Sequence, residues 1–585
     1  MANFFTDNDD ILFLFDHMDM KRIAAIMEED FRFAREFEQA PRDAEEAVES
    51  YRRMLTELGE LAAEEIAPTA CATDEVGNIL NPDGTVTYTP GIRHALKRLG
   101  ESGLMGSTLP YRFGGMNCPN LFLAITNDII SRADAALMNL YGLQGIGETI
   151  NSYADEEIKK EFLPDLAAGR KTGAMVLTEP EAGSDLQSVK VQARQDEEGN
   201  WLISGVKRFI TNGCGDVLLV MARSEPDITD GRGLSLFLVE KGPRVKVRRL
   251  ENKLGIHGSP TCELEFDDAP GRLIGERQQG LIRYVMELMF GARLGIAAQS
   301  CGIGEAAYRV ARRYAHERKQ FGTQIEAFPA VRDLLVESSM DLRAARALTY
   351  FASSCVDLQY GVMQRLDKDD FADADEKKQA KNELRSYKRF NGMLTPMAKY
   401  YASEMCMRVT NNAISVMGGN GYMHDYPLER HLRDSRITTI YEGTTQMQIV
   451  AAVGGVTSGT AQALLEDLLD GDWPEDIRPL VEQIRGGLDE LIAVIEFVKE
   501  QPDANYRRLY ARKIVDMALI LIIGALFCDH ATGSDKKKTL ARHWLATKMP
   551  ELKRDRELIR GGEQAVLSDF DTLAGPVPEL ESATA

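Results

Sequence analysis

The hydrophobic pattern of this chain changes period twice, and no other feature restricts its fold as much. Up to about Ala168, apolar residues return every three or four positions, as on the buried face of a helix. From Gly173 the pattern breaks into seven short runs separated by turns: GAMVLTE, VKVQARQ, NWLISGVKRFIT, DVLLVMARS, LSLFLVEKG, VKVRRL and TCELEFDD. They occupy about a hundred positions and predict a small antiparallel barrel or sandwich. At about Gly280 the helical period returns and persists. Met405, Val409, Ala413 and Met417 share one stripe there. The chain therefore reads as α+β, mostly α, with a β domain between helical ones.

The flanking blocks divide further. The first fifty or so residues are helical and charged, ending near Pro41, and Ile11, Phe13, Leu14 and Phe15 form an apolar knot that must dock. Val48, Tyr51, Leu55, Leu58 and Ala62 give Ala44 to Ile66 one apolar stripe, and Pro68 is expected to stop that helix. The turn-rich GNILNPDGTVTYTPG after Val76 predicts a hairpin or loop, and Ile92 to Gly100 another helix. Helices follow the loop LPYRFGGMNCPN, from about Leu121 to Ala168. The charged stretch between Gly361 and Leu384 reads as a helix end or exposed connector. From about Thr457 a further helical block runs to the tail GPVPELESATA, which is expected to be disordered.

Composition narrows the partners. A chain of 585 residues holds several domains or one large composite. Its net charge of -21 argues against affinity for nucleic acid or anionic membranes. Eight scattered cysteines without a CxxC fit reduced thiols in the cytoplasm. The N-terminus has no secretion-signal pattern. The longest apolar run, Met517 to Cys528, has 12 residues, short of a bilayer span, so no stable membrane insertion is expected. No Gly-Lys dipeptide, HExxH or GxSxG occurs, and the eight histidines form no metal-like cluster, so no metal is expected. Gly302-x-Gly304-x-x-Ala307 fits a dinucleotide fingerprint, but no strand precedes it; close helix packing explains it.

The chemistry concentrates in Arg433 to Val450, RDSRITTIYEGTTQMQIV. Glu442 has an apolar approach and a glycine after it. A carboxylate held in such a turn is desolvated, which raises its pKa and makes it a better base near neutral pH. The same residues also fit a plain helix start, with Thr444 or Thr445 as the cap. Three other stretches stand out. TEPEAGSD, Thr178 to Asp185, places hydroxyls and free backbone donors between strands, as a ring or anion cradle or as a polar turn. MGGNGY, Met417 to Tyr422, has more glycine than a helix stop needs, so backbone can approach a phosphate or another subunit. ERKQFG, Glu317 to Gly322, sets cations and an aromatic at a helix end.

In this order, TEPEAGSD, RFITNG, KLGIHGSPT, ERKQFG, MGGNGY and RDSRITTIYEGTTQ resemble the motifs of the acyl-CoA dehydrogenase family of flavoenzymes. The resemblance runs from about Ala44 to Ala451. The extensions at either end resemble a larger subgroup found among bacterial enzymes. The family implies a fold: an N-terminal extension (1–43), an N-terminal helical domain (44–172), a central antiparallel β barrel (173–279), a C-terminal four-helix bundle (280–456) and an additional C-terminal helical domain (457–585).

It also implies FAD, bound between the β domain, the bundle and a neighbouring subunit of a homodimer, with a tetramer as the other assembly. The implied reaction turns an acyl-CoA into a trans-2-enoyl-CoA. Glu442 takes the α-proton, flavin N5 takes the β-hydride, and an electron-transfer flavoprotein receives the electrons. Some relatives carry the base on the first bundle helix instead; that position here reads Gly291-Ala292-Arg293, without a carboxylate. By motif, Arg293 stands near the base, and Leu177, Thr178, Ser184, Phe209 and Thr211 face the flavin from the β domain. Thr444 contacts the cofactor on its own side. Arg318, Phe321, Gly418, Gly419 and Gln446 reach a neighbouring subunit's FAD. Ser184, Arg293, Tyr441 and Gly443 face the substrate. Phe209 replaces a tryptophan common in the family.

Two other activities share these motifs. An acyl-CoA oxidase passes its electrons to oxygen. A DNA-binding flavoprotein branch also carries a C-terminal helical domain, and Lys536, Lys537, Lys538, Arg542, Lys548, Lys553, Arg554 and Arg556 could suit it. Glu551, Asp555 and Glu557 interrupt that cluster. The motifs leave the acyl group open.

Overall fold

Short polar side chains start most of the N-terminal helices. Asn8, Asp19, Asp43, Thr89 and Asp155 accept backbone N–H groups of α1 (Asp9–His17), α2 (Met20–Met27), α3 (Ala44–Leu61), α5 (Pro90–Glu101) and α9 (Glu156–Ala167). The computed structural model describes residues 2–369 and 371–578, in two units, Met1–Gln448 and Ile449–Ala585. In the first unit the apolar knot docks as expected. Ile11, Leu14 and Phe15 are buried in one core with Leu55, Leu58 and Phe122, and Phe13 is half-buried.

Pro68 does not stop the helical run. After α3 the chain passes through a π turn at Ala62–Ile66 and a 3-10 turn at Ala67–Thr69 into α4 (Ala70–Val76). Proline fits the first turn of a new helical segment, so it shifts the register without ending the run. The turn-rich stretch is a hairpin, β1 (Ile79–Leu80) against β2 (Val86–Thr87). Then come α6 (Asn120–Ala133), α7 (Ala135–Tyr141) and α8 (Gly145–Tyr153), ahead of α9.

All seven runs form strands: β3 (Gly173–Val176), β4 (Gln192–Gln195), β5 (Trp201–Thr211), β6 (Val217–Arg223), β7 (Leu234–Glu240), β8 (Val245–Leu250) and β9 (Thr261–Ile274). The ring β6–β4–β5–β9–β7 closes on itself, with β8 beside β9. Most pairs are antiparallel, but β3 runs parallel to β6, and β4 meets β6 in one parallel pair. Strand β6 explains its unbroken apolar sequence. Leu218, Val220 and Ala222 face the barrel interior, while Val217, Leu219 and Met221 pack on Ile146, Ile150 and Phe162 of the helices. The β5–β9 ladder slips between Lys207 and Ile210. At that bulge Phe209 has φ +61° and turns outward.

The bundle consists of α10 (Met286–Glu317), α11 (Pro329–Lys368), α12 (Ala374–Met417) and α13 (Leu428–Ile437), followed by α14 (Thr445–Thr457). The charged stretch joins α11 to α12, with Asp373 capping α12. One buried cation fastens the unit. Arg346, 1% exposed, donates to Asp10 at 2.8 Å, Asp128 at 2.8 Å and Glu305 at 3.0 Å, joining α1, α6, α10 and α11. Desolvation of a buried arginine is offset only by such complete pairing.

The second unit contains α15 (Thr460–Leu469), α16 (Arg478–Lys499), α17 (Ala504–Gly533) and α18 (Asp535–Arg560). The apolar run from Met517 lies within the 30-residue α17, which by length and composition could cross a membrane; 89% of its most apolar window is buried. Reading only the uncharged core of that helix underestimates its length. The basic residues of α18 are interleaved with acids: Lys538 pairs with Asp476 and Asp535, Lys548 with Glu551, Arg554 with Asp555, and Arg556 with Glu490 and Glu557. Of the tail, 575–578 has no regular structure, and Glu579 to Ala585 lie outside the described residues.

Candidate active site

Glu442 lies in the bend between α13 and α14, with φ +53°, and Gly443 follows at +88°. A left-handed glutamate is uncommon and is held by its neighbours. Lys399 of α12, fully buried, donates to the Gly443 carbonyl at 2.7 Å. Gln448 Nε2 donates to the Glu442 and Gly443 carbonyls at 3.0 and 2.9 Å. On the other side the Tyr441 hydroxyl donates to Asn139 and Gln299, and Gln299 donates to Asn139 and to the Ala135 carbonyl. A polar net thus fixes both flanks of the base candidate.

The carboxylate opens onto a cavity of about 910 Å³. Burial raises the Glu442 pKa above the usual carboxylate range, and the positive charges of Lys399 and Arg293 pull against that shift. Lys399 is itself pushed down to about 7 by burial, against the attraction of Glu442. Burial also lowers Arg293, whose Nε is buried and has no hydrogen-bond partner among the described residues. Gly291, Ala292 and Gly295, on either side of Arg293, line the cavity.

The barrel supplies the facing wall. Leu177, Thr178, Phe209 and Thr211 line the same cavity as Tyr441, Glu442 and Gly443. Phe209 is 53% exposed, an aromatic presented by the bulge. The TEPEAGSD loop is anchored at its second residue. Glu179 accepts from Lys190 N and Val191 N at 2.7 and 2.9 Å and pairs with buried Lys207 at 2.9 Å; Lys207 also donates to the Leu177 carbonyl. Ser184 is exposed at the loop tip, beside Gly183, which lines the cavity. Thr444 is half-buried and accepts from Met447 N at 3.4 Å at the start of α14, and Gln446 is exposed.

The remaining motif residues gather elsewhere. Arg318 ends α10, and Phe321-Gly322 form a two-residue turn between β10 (Lys319–Gln320) and β11 (Thr323–Gln324), both at positive φ. Phe321 is 96% exposed. Gly418, at φ +59°, and Gly419 follow α12, and Asn420 donates to Tyr314 of α10, one turn before Arg318, at 2.9 Å. Met417 lies eighteen residues beyond Lys399 on α12, about 27 Å along a helix. The motif residues therefore form two groups at separate places on one chain. Lys399, Gln299 and Asn139 lie outside every motif. Only a buried lysine or amide at helical spacing on an apolar face could have pointed to them.

Models of the N-terminal, middle and C-terminal domains of acyl-CoA dehydrogenases match residues 49–170, 174–269, and 279–365 with 373–453. An acyl-CoA dehydrogenase of Bacillus subtilis (strain 168) is 36% identical over 361 residues, 60% of this chain and 86% of the relative. The chain belongs to the acyl-CoA dehydrogenase family of enzymes. Among solved structures, one described as the electron transferring flavoprotein of Acidaminococcus fermentans aligns with TM-score 0.58 and 31% identity, covering 69% of this chain and 96% of its own. An acyl-CoA dehydrogenase complexed with FAD from Bacillus anthracis aligns with TM-score 0.74 over 91% of this chain and 92% of its own, at 23% identity, a likeness of fold.

Proposed function

We propose that this protein is an FAD-dependent acyl-CoA dehydrogenase that converts an acyl-CoA thioester to its trans-2-enoyl-CoA with Glu442 as the base. The observation that carries this reading is the desolvated Glu442 carboxylate in the cavity wall, near buried Lys399 and half-buried Arg293, in the cavity that Thr178, Phe209 and Thr211 also line. FAD is the cofactor that wall suits. Leu177, Thr178, Phe209 and Thr211 would hold its ring, and the unpartnered Arg293 Nε is a donor left for a bound ligand. When bound, FAD supplies the acceptor for the two electrons and the hydrogen lost from Cβ.

The chain supplies the rest. Glu442 removes the proton from Cα, and a raised pKa suits a base that takes a weakly acidic proton near neutral pH. The charge that develops on the thioester oxygen needs preorganised donors, and the backbone N–H of Glu442 is the one the chain offers. Lys399, Gln448, Asn139 and Gln299 keep the loop from moving as that charge forms. An electron-transfer flavoprotein is the electron acceptor. The separation of Arg318, Phe321, Gly418 and Gly419 from Glu442 supports a homodimer in which those groups serve the other copy's cofactor. The eight free cysteines agree with a cytoplasmic location.

The test is an anaerobic titration of the holoenzyme with a panel of acyl-CoAs, following loss of oxidised-flavin absorbance. Glu442→Gln should retain flavin and acyl-CoA binding yet slow flavin reduction by about two to four orders of magnitude. Reduction of the variant at near the wild-type rate would remove Glu442 from the role. Reoxidation by an electron-transfer flavoprotein, and not by oxygen while product is bound, separates a dehydrogenase from an oxidase.

A further inference from the structure

One helix lines the cavity with polar groups. Lys388, Asn391, Gly392 and Thr395 of α12 all face it, and Lys399, a turn beyond Thr395, holds the Gly443 carbonyl. Thr395 and Asn391 therefore lie about 6 and about 12 Å along α12 from the turn that supports the base. Asn127 of α6 lines the same space. It sits close to both Gly142 and Gly295, and Gly295 lies on the same stretch of α10 as Arg293.

These side chains are buried and incompletely bonded. Thr395 is 0%, Asn127 2% and Asn391 6% exposed. Among the described residues, Thr395 Oγ1, Asn127 Oδ1 and Asn391 Oδ1 have no hydrogen-bond partner. For Asn391 the orientation of the amide is settled. Its Nδ2 donates to the Cys355 carbonyl at 3.1 Å and to Gln359 Oε1 at 2.9 Å, so its oxygen is the acceptor left over. Buried polar atoms are nearly always paired, and leaving one unpaired opposes binding of an apolar group beside it. Met27 of α2 and Cys118 also line this space.

We infer, on the reading of Glu442 as the dehydrogenation base, that the acyl group carries a neutral hydrogen-bond donor, a hydroxyl or amide N–H, which the Asn391 carbonyl oxygen and the Thr395 hydroxyl receive beyond the Cα–Cβ bond. An all-hydrocarbon tail leaves these atoms unpaired. A carboxylate tail brings a second acceptor against the Asn391 oxygen, in a cavity that Glu148 and Glu287 line together with Arg283 and Lys388.

The experiment uses the wild-type holoenzyme and measures anaerobic flavin reduction by butanoyl-, hexanoyl- and octanoyl-CoA, each against its terminal hydroxy and terminal amide counterparts. At one chain length the donor-bearing substrate should exceed its hydrocarbon partner in kcat/KM by at least about 100-fold, as a site built to bond a hydroxyl does. The double variant Asn391→Leu with Thr395→Val should erase or reverse that preference. Hydrocarbon substrates that match or beat their donor-bearing partners at every length overturn the inference and leave the dehydrogenase reading standing. If no acyl-CoA reduces the flavin, the dehydrogenase reading falls and takes this inference with it.

Discussion

Glu442 and Lys399 lie in one electrostatic neighbourhood, and each shifts the other. Burial pushes the carboxyl up and the ammonium down, while their mutual attraction favours both charged forms. The base works only as the carboxylate, so kcat/KM should rise with pH along a limb above the usual carboxylate range and fall away on acidification. Lys399→Met removes a charge that lowers the Glu442 pKa, so the acid limb should move to higher pH. The Gly443 carbonyl keeps its bond from Gln448, which preserves the loop. A pH profile of flavin reduction checks this; an unmoved limb would mean that Lys399 is only packing. The sequence singled out Glu442 only through the family resemblance, since an apolar approach and a following glycine fit a helix start as well. It left Lys399 silent, because a lysine on a helix is normally solvated and only the fold reveals its burial.

At the scale of elements, α6 forms the back of the cavity yet follows Pro119, which offers no cap. Asp357 of α11 supplies one from a distance of 236 residues, accepting from Asn120 N at 2.7 Å and Leu121 N at 3.0 Å. Asp357→Ala should cost about 1–3 kcal/mol, read from denaturant unfolding. Burial raises the Asp357 pKa from 3.8 to about 7, so between those values the folded state holds a proton that the unfolded chain has lost. Its contribution is therefore full at low pH and falls as pH rises through that window. Asp357→Asn should flatten the difference, gaining on the wild type as pH climbs. No local pattern announces such a cap. The strands, by contrast, were legible one by one, since alternation and turn residues are local signals. Their mixed pairing was not, because β3 reaches β6 across intervening chain. The outward turn of Phe209 depends on a slip in register with β9, which no window over β5 contains.

At the scale of the whole molecule, the separation of Arg318, Phe321, Gly418 and Gly419 from Glu442 predicts complementation. Arg318→Glu should lose FAD, and Glu442→Gln should keep FAD without turnover. Mixed dimers of the two would then hold one intact site, formed by the Glu442 of one chain with Arg318 of the other. With random pairing, co-expression should restore about a quarter of wild-type activity. Activity no greater than the sum of the separate variants would mean that each site is complete within one chain. The N-terminal extension belongs to the working molecule as well, since Asp10 completes the Arg346 cluster and Met27 lines the cavity. The knot of aromatic and aliphatic residues predicted that it docks, but not what it docks for.

The backbone at Glu442 has a consequence for how such a chain changes under selection. A left-handed conformation costs an ordinary residue about 1 kcal/mol and glycine almost nothing, while glycine adds a comparable freedom to the unfolded chain. As far as the backbone goes, folding is therefore nearly indifferent to a glycine in place of that glutamate. What stability the side chain adds or costs comes from its burial beside Lys399 and Arg293. The left-handed turn itself would persist in descendants that had lost the base, and only the reaction would select for a carboxylate in it.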